Sequence, residues 1–439
     1  MRGIKDILKD LIKLKCINDP ETGLKPSKEC VEGFREILHE NNFDYEEIVS
    51  NGFHSFLLVR RRGNPVIMLM AHYDVVPPGP SWSRDPFEPV EESGRLYGRG
   101  SIDDLSNVAA MIRIGGRIDD LIDGSSGSVI ICLTGDEEIG GSNGALVVRD
   151  KLIREGLKPD YLINGDGGGL AVINKRRSSF RIIIRVRSLR TKIRGRKFLA
   201  RYELRSMYRH SAYFLPGADV HPLIALARDI DSRGFYISSL RGSFVKSNIL
   251  PEYVEIEAVS EEGSEEIEVD INLTKLLLSL IPLTRGLVEP DFPSLYGVTV
   301  TPNIYRFDGE YHVIEIDLRA PLKDAGREKI SRYLSEILRE YLPEASYEIY
   351  GGGGYLYTPM SSRIIEKSIK ILRRLGIKPS IVERAGASDS RYFSPLGVEA
   401  IDFGPVGGNV HGPDEYVEVW SLEPLERFYE ELLKELLSS

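Results

Sequence analysis

Five short segments of the chain place acids or histidines immediately beyond apolar runs or in glycine-rich turns. "VIMLMA" gives way to His72-Tyr73-Asp74, and "GRGSI" leads into Asp103-Asp104. "SVIICLTGD" is followed by Glu137-Glu138, "YLIN" by Asp166 in "GDGGG", and His411 sits in "GPVGGNVHGPDE". Each segment alone has an ordinary reading. A His-x-Asp can be a surface pair, paired glutamates suit a helix N-terminus whose dipole favours negative charge, and GDGGG can be a turn. Together they are the side chains that metal and acid–base chemistry need, placed where loops leaving strand ends converge on one point. Residues two apart on a strand point the same way, so His72 and Asp74 lie on one side of the strand exit.

The elements that would position these residues alternate. Ser27–Glu40 reads as a helix with Ser27 as N-cap, although Cys30 stands where a capping box wants Glu or Gln. His54–Arg60 and Pro65–Ala71 read as strands and Leu105–Arg117 as a helix. Gly127–Leu133 is a strand, Gly144–Glu155 a helix and Tyr161–Asn164 a short buried strand. The pattern predicts an α/β domain with helices on both faces of its sheet. From Asn174 the texture changes. "NKRRSSFRIIIRVRS" begins an amphipathic strand, and Tyr253–Ala258, Gly297–Pro302 and His312–Arg319 read as further strands. With helices at Ala218–Ile230 and Arg327–Tyr341, this predicts an α+β layer. "SEEGSEEIE" (Ser260–Glu268) reads as an acidic, solvated loop, and the glycines at Gly351–Gly354 as a linker. Alternation then resumes with Ser362–Leu375, Pro379–Glu383, Val398–Phe403 and a closing helix, Leu422–Leu437. The expected organisation is one domain built from residues 1–175 and 353–439, with a second, 176–352, inserted between them.

Read in order, the blocks "MAHYDVVPPGPSWSRDPFEPVEESGRLYGRGSIDD", "GDEEIGGSNGA", "INGDGGG", "HSAYFLPGADVHPL" and "NVHGPDEYVEV" resemble the dizinc metallopeptidases and amidohydrolases. That family includes aminoacylase, acetylornithine deacetylase, succinyl-diaminopimelate desuccinylase and the glutamate-releasing carboxypeptidase. The resemblance covers both ends of the chain closely and the middle loosely. It implies a zinc-peptidase-like α/β catalytic domain with a central mixed sheet and an inserted α+β lid and dimerisation domain. It implies two divalent ions, zinc or else cobalt or manganese, held by His72, Asp103, Glu138, Asp166 and His411, with Asp103 bridging. Glu137 would be the general base and Asp74 the partner of His72. His210, on the lid, would polarise the scissile carbonyl from the partner subunit. Asn303, Arg319, Asp389 and Arg391 would face the substrate, although the spacing around Asn303 is longer than the family's. The implied reaction is hydrolysis of the amide of an N-acyl amino acid or short peptide by a metal-activated water. The alternative is a descendant without catalysis that binds a ligand or partner; the intact Glu137 argues against it. The chain departs from many members in having Asp103-Asp104-Leu105-Ser106 where they carry a lysine, and in the length of its inserted domain.

Bulk composition excludes other classes. The chain has 439 residues, 42% hydrophobic and 28% charged, as in soluble globular proteins. No apolar run approaches the roughly 20 residues of a membrane span. The N-terminal "MRGIKDILKDLIKLK" is amphipathic and broken by charge, a helix of the fold in place of a signal peptide, and a cytoplasmic location is expected. A formal charge of −9 argues against a nucleic-acid binder, and the basic stretch Arg185–Arg209 reads as a solvated face or subunit contact before an RNA site. Cys16, Cys30 and Cys132 are odd in number, scattered and without a CxxC, which predicts neither a disulfide framework nor a cysteine-ligated metal. Cys132 reads as a small core residue. Glutamine is absent while Glu, Lys, Arg and Ile abound, a composition that fits a thermophile source.

Overall fold

Val66–His72 and Ser128–Thr134 are buried at every position, the pattern of strands covered on both faces, which favours a parallel arrangement. The computed structural model, which describes residues 2–19, 22–60, 63–285, 288–323, 326–352 and 354–438, pairs these two strands in parallel. Tyr161–Asn164 runs parallel to Val66–His72 on its other side, and Glu399–Asp402 runs parallel to Tyr161–Asn164. Antiparallel strands at both flanks complete a mixed sheet, nine-stranded among the described residues. This sheet belongs to a compact unit made of Met1–Arg176, Gly354–Arg384 and Ser388–Ser439.

The parallel core explains why distant motifs can converge. His72 lies opposite Thr134, and Met70 and Asp402 both lie opposite Asn164. The four strands end at one edge of the sheet, so the segments after His72, Thr134, Asn164 and Asp402 all start there. Helices cover the sheet. Ile4–Lys13 buries Ile4, Ile7, Leu8, Leu11 and Ile12 along one stripe, each such burial contributing about 1.5–3 kcal/mol of transfer free energy. Leu105–Gly115 is buried on nearly every face, and Leu422–Leu437 packs against it, with the Tyr429 hydroxyl donating to Asn107 Oδ1 at 2.6 Å.

The cysteine expectation is corrected here. Cys16 and Cys30 form a disulfide with Cα atoms 5.3 Å apart. The chain leaves the first helix, pairs briefly with the strand exit at Val75, and enters the helix Lys28–Glu40, whose third residue is Cys30. That return is a tertiary event, and the 14-residue spacing does not announce it. Cys132 is buried in Ser128–Thr134, with its thiol pushed up by burial.

The second unit comprises Arg177–Gly353 with Ala385–Ala387. It holds a four-stranded antiparallel sheet, ordered Thr299–Phe307, Tyr311–Ala320, Ser178–Arg187, Ser346–Gly351, and a three-stranded one, Arg190–Glu203, Tyr253–Asp270, Phe235–Gly242. The helices Pro222–Arg233, Ile271–Leu283 and Gly326–Tyr341 pack on them around one apolar cluster. Of the glycine run expected as a linker, residue 353 lies outside the described residues, while Gly351 and Gly352 both take positive φ.

One expectation about the charged segments changes. The acidic stretch is largely strand: Glu265–Asp270 pairs with Arg190–Gly195, and only residues 261–264 are left unopposed before pairing resumes at Ser260–Arg196. This four-residue bulge needs glycine at 263, where φ is +150° and a Cβ would lie 2.5 Å from the Gly195 carbonyl oxygen. Most of the basic stretch is the partner strand, Arg190–Glu203. Arg190 meets Glu268 at 2.7 Å, Lys197 meets Glu257 at 2.7 Å, Arg201 meets Glu255 at 2.8 Å and Arg209 meets Glu252 at 2.7 Å. Such exposed pairs contribute little to stability, but they locally cancel the field a polyanion would follow.

Candidate metal centre

The exits of the parallel strands bring four of the singled-out residues together. Nε2 of His72 lies 3.2 Å from Asp103 Oδ1, and Nε2 of His411 lies 3.0 Å from Asp103 Oδ2. His411 Nε2 is also 3.1 Å from Glu138 Oε1. Donor atoms of His72, Asp103 and Glu138 all lie within 4.8 Å of one another. One carboxylate thus offers each oxygen to a different imidazole.

The tautomers suit this arrangement. His72 Nδ1–H donates to the Asp74 main-chain carbonyl at 3.0 Å, leaving Nε2 to face the Asp103 carboxylate. The Asp74 carboxylate stands farther off, Oδ1 at 3.5 Å from Nδ1. Its oxygens instead accept the N–H groups of Glu137 and Glu138, at 3.2 and 3.1 Å, and Asn18 Nδ2–H at 3.0 Å. Asp74 therefore ties the strand exit to the Glu137–Ile139 turn.

Asp166 follows its strand as expected. Its Oδ1 accepts from Nη2 of the buried Arg176 at 3.0 Å, and Arg176 Nε donates to the buried Asp402. Burial pushes the Asp166 and Glu137 carboxyls well up; Arg176 opposes the shift for Asp166 and the His72 charge opposes it for Glu137. Burial would raise Asp103 too, but the imidazoles of His411 and His72 overrule it and hold its carboxyl below the usual range. Burial works against the charged form of both histidines, yet the surrounding carboxylates lift them well above the ordinary value. His72 is buried, Asp103, Glu138 and Asp166 are partly buried, and His411 is exposed; the set is anionic, calls for positive charge and fits hard or borderline divalent cations with N and O ligands.

Several residues that hold this site carried no assigned role in the motif reading. Arg99 and Glu415, both about 1% exposed, form a buried ion pair. Glu415 also accepts the N–H groups of Gly100, Ile102 and Asp103 at 3.1, 3.2 and 3.3 Å. Arg99 donates to the carbonyls of Pro78 and His411 at 3.1 and 3.2 Å. The pair fastens together the segments bearing His72, Asp103 and His411. Asp104 is fully buried, accepts the His72 N–H at 3.1 Å and is hydrogen-bonded by Asn107. These residues stand inside the quoted blocks "YGRGSIDD" and "HGPDE", but burial, the property that marks them, is invisible in sequence.

Asp389 and Arg391 lie in the same unit, at the Asp389–Tyr392 turn. Asp389 is buried, 3.8 Å from Arg391 Nη2. His210, Asn303 and Arg319 belong to the second unit. His210 caps a short turn, its Nδ1 accepting the Ala212 N–H at 3.1 Å, so that Nε2 carries the hydrogen when the ring is neutral. Arg177 anchors that turn, donating to the Ala212 carbonyl at 2.7 Å and to Thr299 Oγ1 at 3.1 Å. Asn303 is fully buried; its Nδ2 donates to the Ser247 carbonyl at 2.7 Å, and its Oδ1 lies 3.3 Å from Nε2 of the buried His221. Arg319 Nε donates to Asp317 at 3.1 Å. Both side chains are thus held by protein partners.

Histidines and carboxylates gathered beside the strand ends of a mixed sheet, with a further α+β unit inserted in the chain, are the pattern of a class of metallohydrolase, and comparison with known proteins agrees. The chain belongs to peptidase family M20/M25/M40, whose profile matches residues 68–435. It is similar to the succinyl-diaminopimelate desuccinylase of Bordetella petrii, at 26% identity over 86% of this chain and 85% of that one. Among solved structures it resembles the aminoacylhistidine dipeptidase of Vibrio alginolyticus (TM-score 0.75, 15% identity, 98% and 96% of the two chains). It also resembles an M20 family metallo-carboxypeptidase of Sulfolobus solfataricus (TM-score 0.66, 18% identity, all of both chains). The chain is a metal-dependent hydrolase acting on amide bonds. Among the described residues no helix is long and apolar enough to cross a membrane.

Proposed function

We propose that the chain hydrolyses the amide of a small N-acylated amino acid or short peptide, using two divalent ions, zinc in the first instance. His72 and Asp166 would hold one, His411 and Glu138 the other, with Asp103 shared. The observation that supports this most directly is the Asp103 carboxylate with one imidazole on each oxygen. When bound, the ions polarise the scissile carbonyl and lower the pKa of a water to about 7.

The chain's own residues do the rest. Glu137 takes a proton from the attacking water and returns it to the leaving amine; burial raises its carboxyl above the ordinary value. Asp74 holds the Glu137–Glu138 turn through both of its N–H groups. His210, with its hydrogen directed to Nε2 by its own turn, donates to the oxygen that gains charge, a contribution on the order of 3 kcal/mol. Arg319 and, less directly, the buried Asn303 would set the substrate's carboxylate on the inserted unit, which we read as the lid and dimerisation domain. We further infer a homodimer, a cytoplasmic location and a thermophile source, the last from composition. The reading of Arg185–Arg209 as an ordinary sheet face is supported by its cross-strand acids.

The test is a screen of acetyl, succinyl and aminoacyl derivatives on metal-loaded protein, with metal content measured and Glu137→Ala alongside. Two ions per chain, turnover on at least one amide, and a Glu137→Ala variant that keeps its metal but loses nearly all activity support the reading. Full metal loading with no turnover on any amide would return the chain to ligand binding.

A further inference from the structure

The motif reading puts Asp389 and Arg391 against the substrate. The structure shows a different occupation. Arg391 Nη2 and the Tyr392 hydroxyl both donate to one acceptor, the main-chain carbonyl of Gly140, each at 2.5 Å. A carbonyl oxygen has two lone pairs, so these two donors saturate it. Gly140 is the residue that closes the Glu137–Ile139 turn, its N–H donating to the Glu137 carbonyl at 2.7 Å, and Gly141 N–H closes on the Asp136 carbonyl at 2.8 Å. The opposite end of the same turn is the one whose N–H groups are taken by Asp74.

We propose that Arg391 and Tyr392 are positioning residues that brace the turn bearing Glu137, and that Asp389 holds Arg391 to that task in place of contacting substrate. The proposal rests on the reading of Glu137 as general base. A short 3-10 turn satisfies few of its own polar groups, so its geometry depends on what receives the terminal N–H and C=O groups. Here an anion takes the first and a cation with a phenol takes the last. Asp389 is 2% exposed, and neither carboxylate oxygen has a hydrogen-bond partner among the described residues. Its charge partner is Arg391, at 3.8 Å. It reaches this position because residue 141 has no side chain: at φ +62° a Cβ there would lie 2.0 Å from Asp389 Oδ1. Burial pushes the Asp389 carboxyl up to about 7 while Arg391 opposes the shift, as fits a group whose one strong interaction is with that guanidinium.

The experiment compares Arg391→Met, Arg391→Lys and Tyr392→Phe with wild type in two readouts. In steady-state kinetics Arg391→Met lowers kcat about 10–100-fold, the scale of a displaced catalytic group, with KM within about twofold and metal content unchanged. Arg391→Lys, which can still donate to the carbonyl, recovers part of the loss, and Tyr392→Phe shows a smaller one. By hydrogen–deuterium exchange the amides of Gly140 and Gly141 exchange at least about tenfold faster in Arg391→Met, while those of Leu105–Gly115 do not change. A raised KM with kcat preserved would make Arg391 a substrate contact and overturn the proposal, as would unaltered exchange at Gly140. If the wild type hydrolyses no amide, the general-base reading fails by itself, and the exchange measurement still decides whether the brace exists. Tyr392→Phe, which removes one neutral donor, keeps the exchange test available if Arg391→Met does not fold.

Discussion

Replacing Glu415 with alanine separates what holds the metal centre from what forms it. In the folded chain this fully buried carboxylate serves four donors: the Arg99 guanidinium and the N–H groups of Gly100, Ile102 and Asp103. Removing it leaves Arg99 as a buried cation, a loss of about 3–5 kcal/mol for a broken buried pair. Arg99 retains its contacts to the carbonyls of Pro78 and His411, and water can enter the space left, so the lower end, about 3 kcal/mol, is expected. Glu415→Gln keeps an acceptor oxygen of the same reach and gives up the charge, for about 2 kcal/mol, the scale of a charge-assisted hydrogen bond. Because Asp103 and His411 are both fastened by this pair, divalent-ion affinity should fall about 10–100-fold, as when outer partners of metal ligands are lost. Guanidinium denaturation of the chelated protein measures the first effect, and calorimetric titration with zinc the second. Zinc affinity in Glu415→Ala within twofold of wild type would refute the reasoning, even if stability falls as expected, because the pair would then support the fold without aligning the ligands.

Other outcomes follow from the same geometry. His210→Ala should bind metal normally and lose about 100- to 1,000-fold in kcat, the cost of one oxyanion donor; mixing it with Glu137→Ala restores activity if the histidine serves a partner subunit, and full turnover by the single variant would remove it from the chemistry. The Cys16–Cys30 bridge closes a loop of 14 residues, so Cys16→Ser with Cys30→Ser should cost about 3 kcal/mol; thiol titration of the unreduced, denatured protein should find one free cysteine, and three would disprove the bridge. His221 is held neutral by burial, its pKa lowered to about 4. Its folded value lies below the unfolded value near 6.5, so stability is intact above pH 6.5 and declines as pH falls toward 4, by about 3 kcal/mol in all. His221→Asn, which can still cap the helix Pro222–Arg233, should flatten that part of the acid profile, and an unchanged profile would assign the loss to other groups.

The elements and the chemistry-bearing segments were legible because they are local. A run such as VIMLMA can only be a buried strand or a helix piece, and the acids beyond such runs announce themselves by type and by neighbouring glycines. The order of those segments carried the family resemblance, which the match over residues 68–435 establishes. What each side chain faces was not legible. The alternation of a strand puts Asp74 on the side of His72, yet its carboxylate goes to the Glu137–Glu138 turn, because the parallel pairing of Val66–His72 with Ser128–Thr134 brings that turn's N–H groups within reach. The basic stretch Arg185–Arg209 had the composition of a polyanion site, and the strand beside it supplies the matching acids. The same limit applies to Arg99 and Glu415, 316 residues apart, and to the two cysteines. Side-chain chemistry and periodicity are properties of neighbours along the chain and belong to the sequence alone. Pairing, burial and hydrogen-bond partners depend on which distant backbone arrives alongside, and that is settled only when the whole sheet has closed.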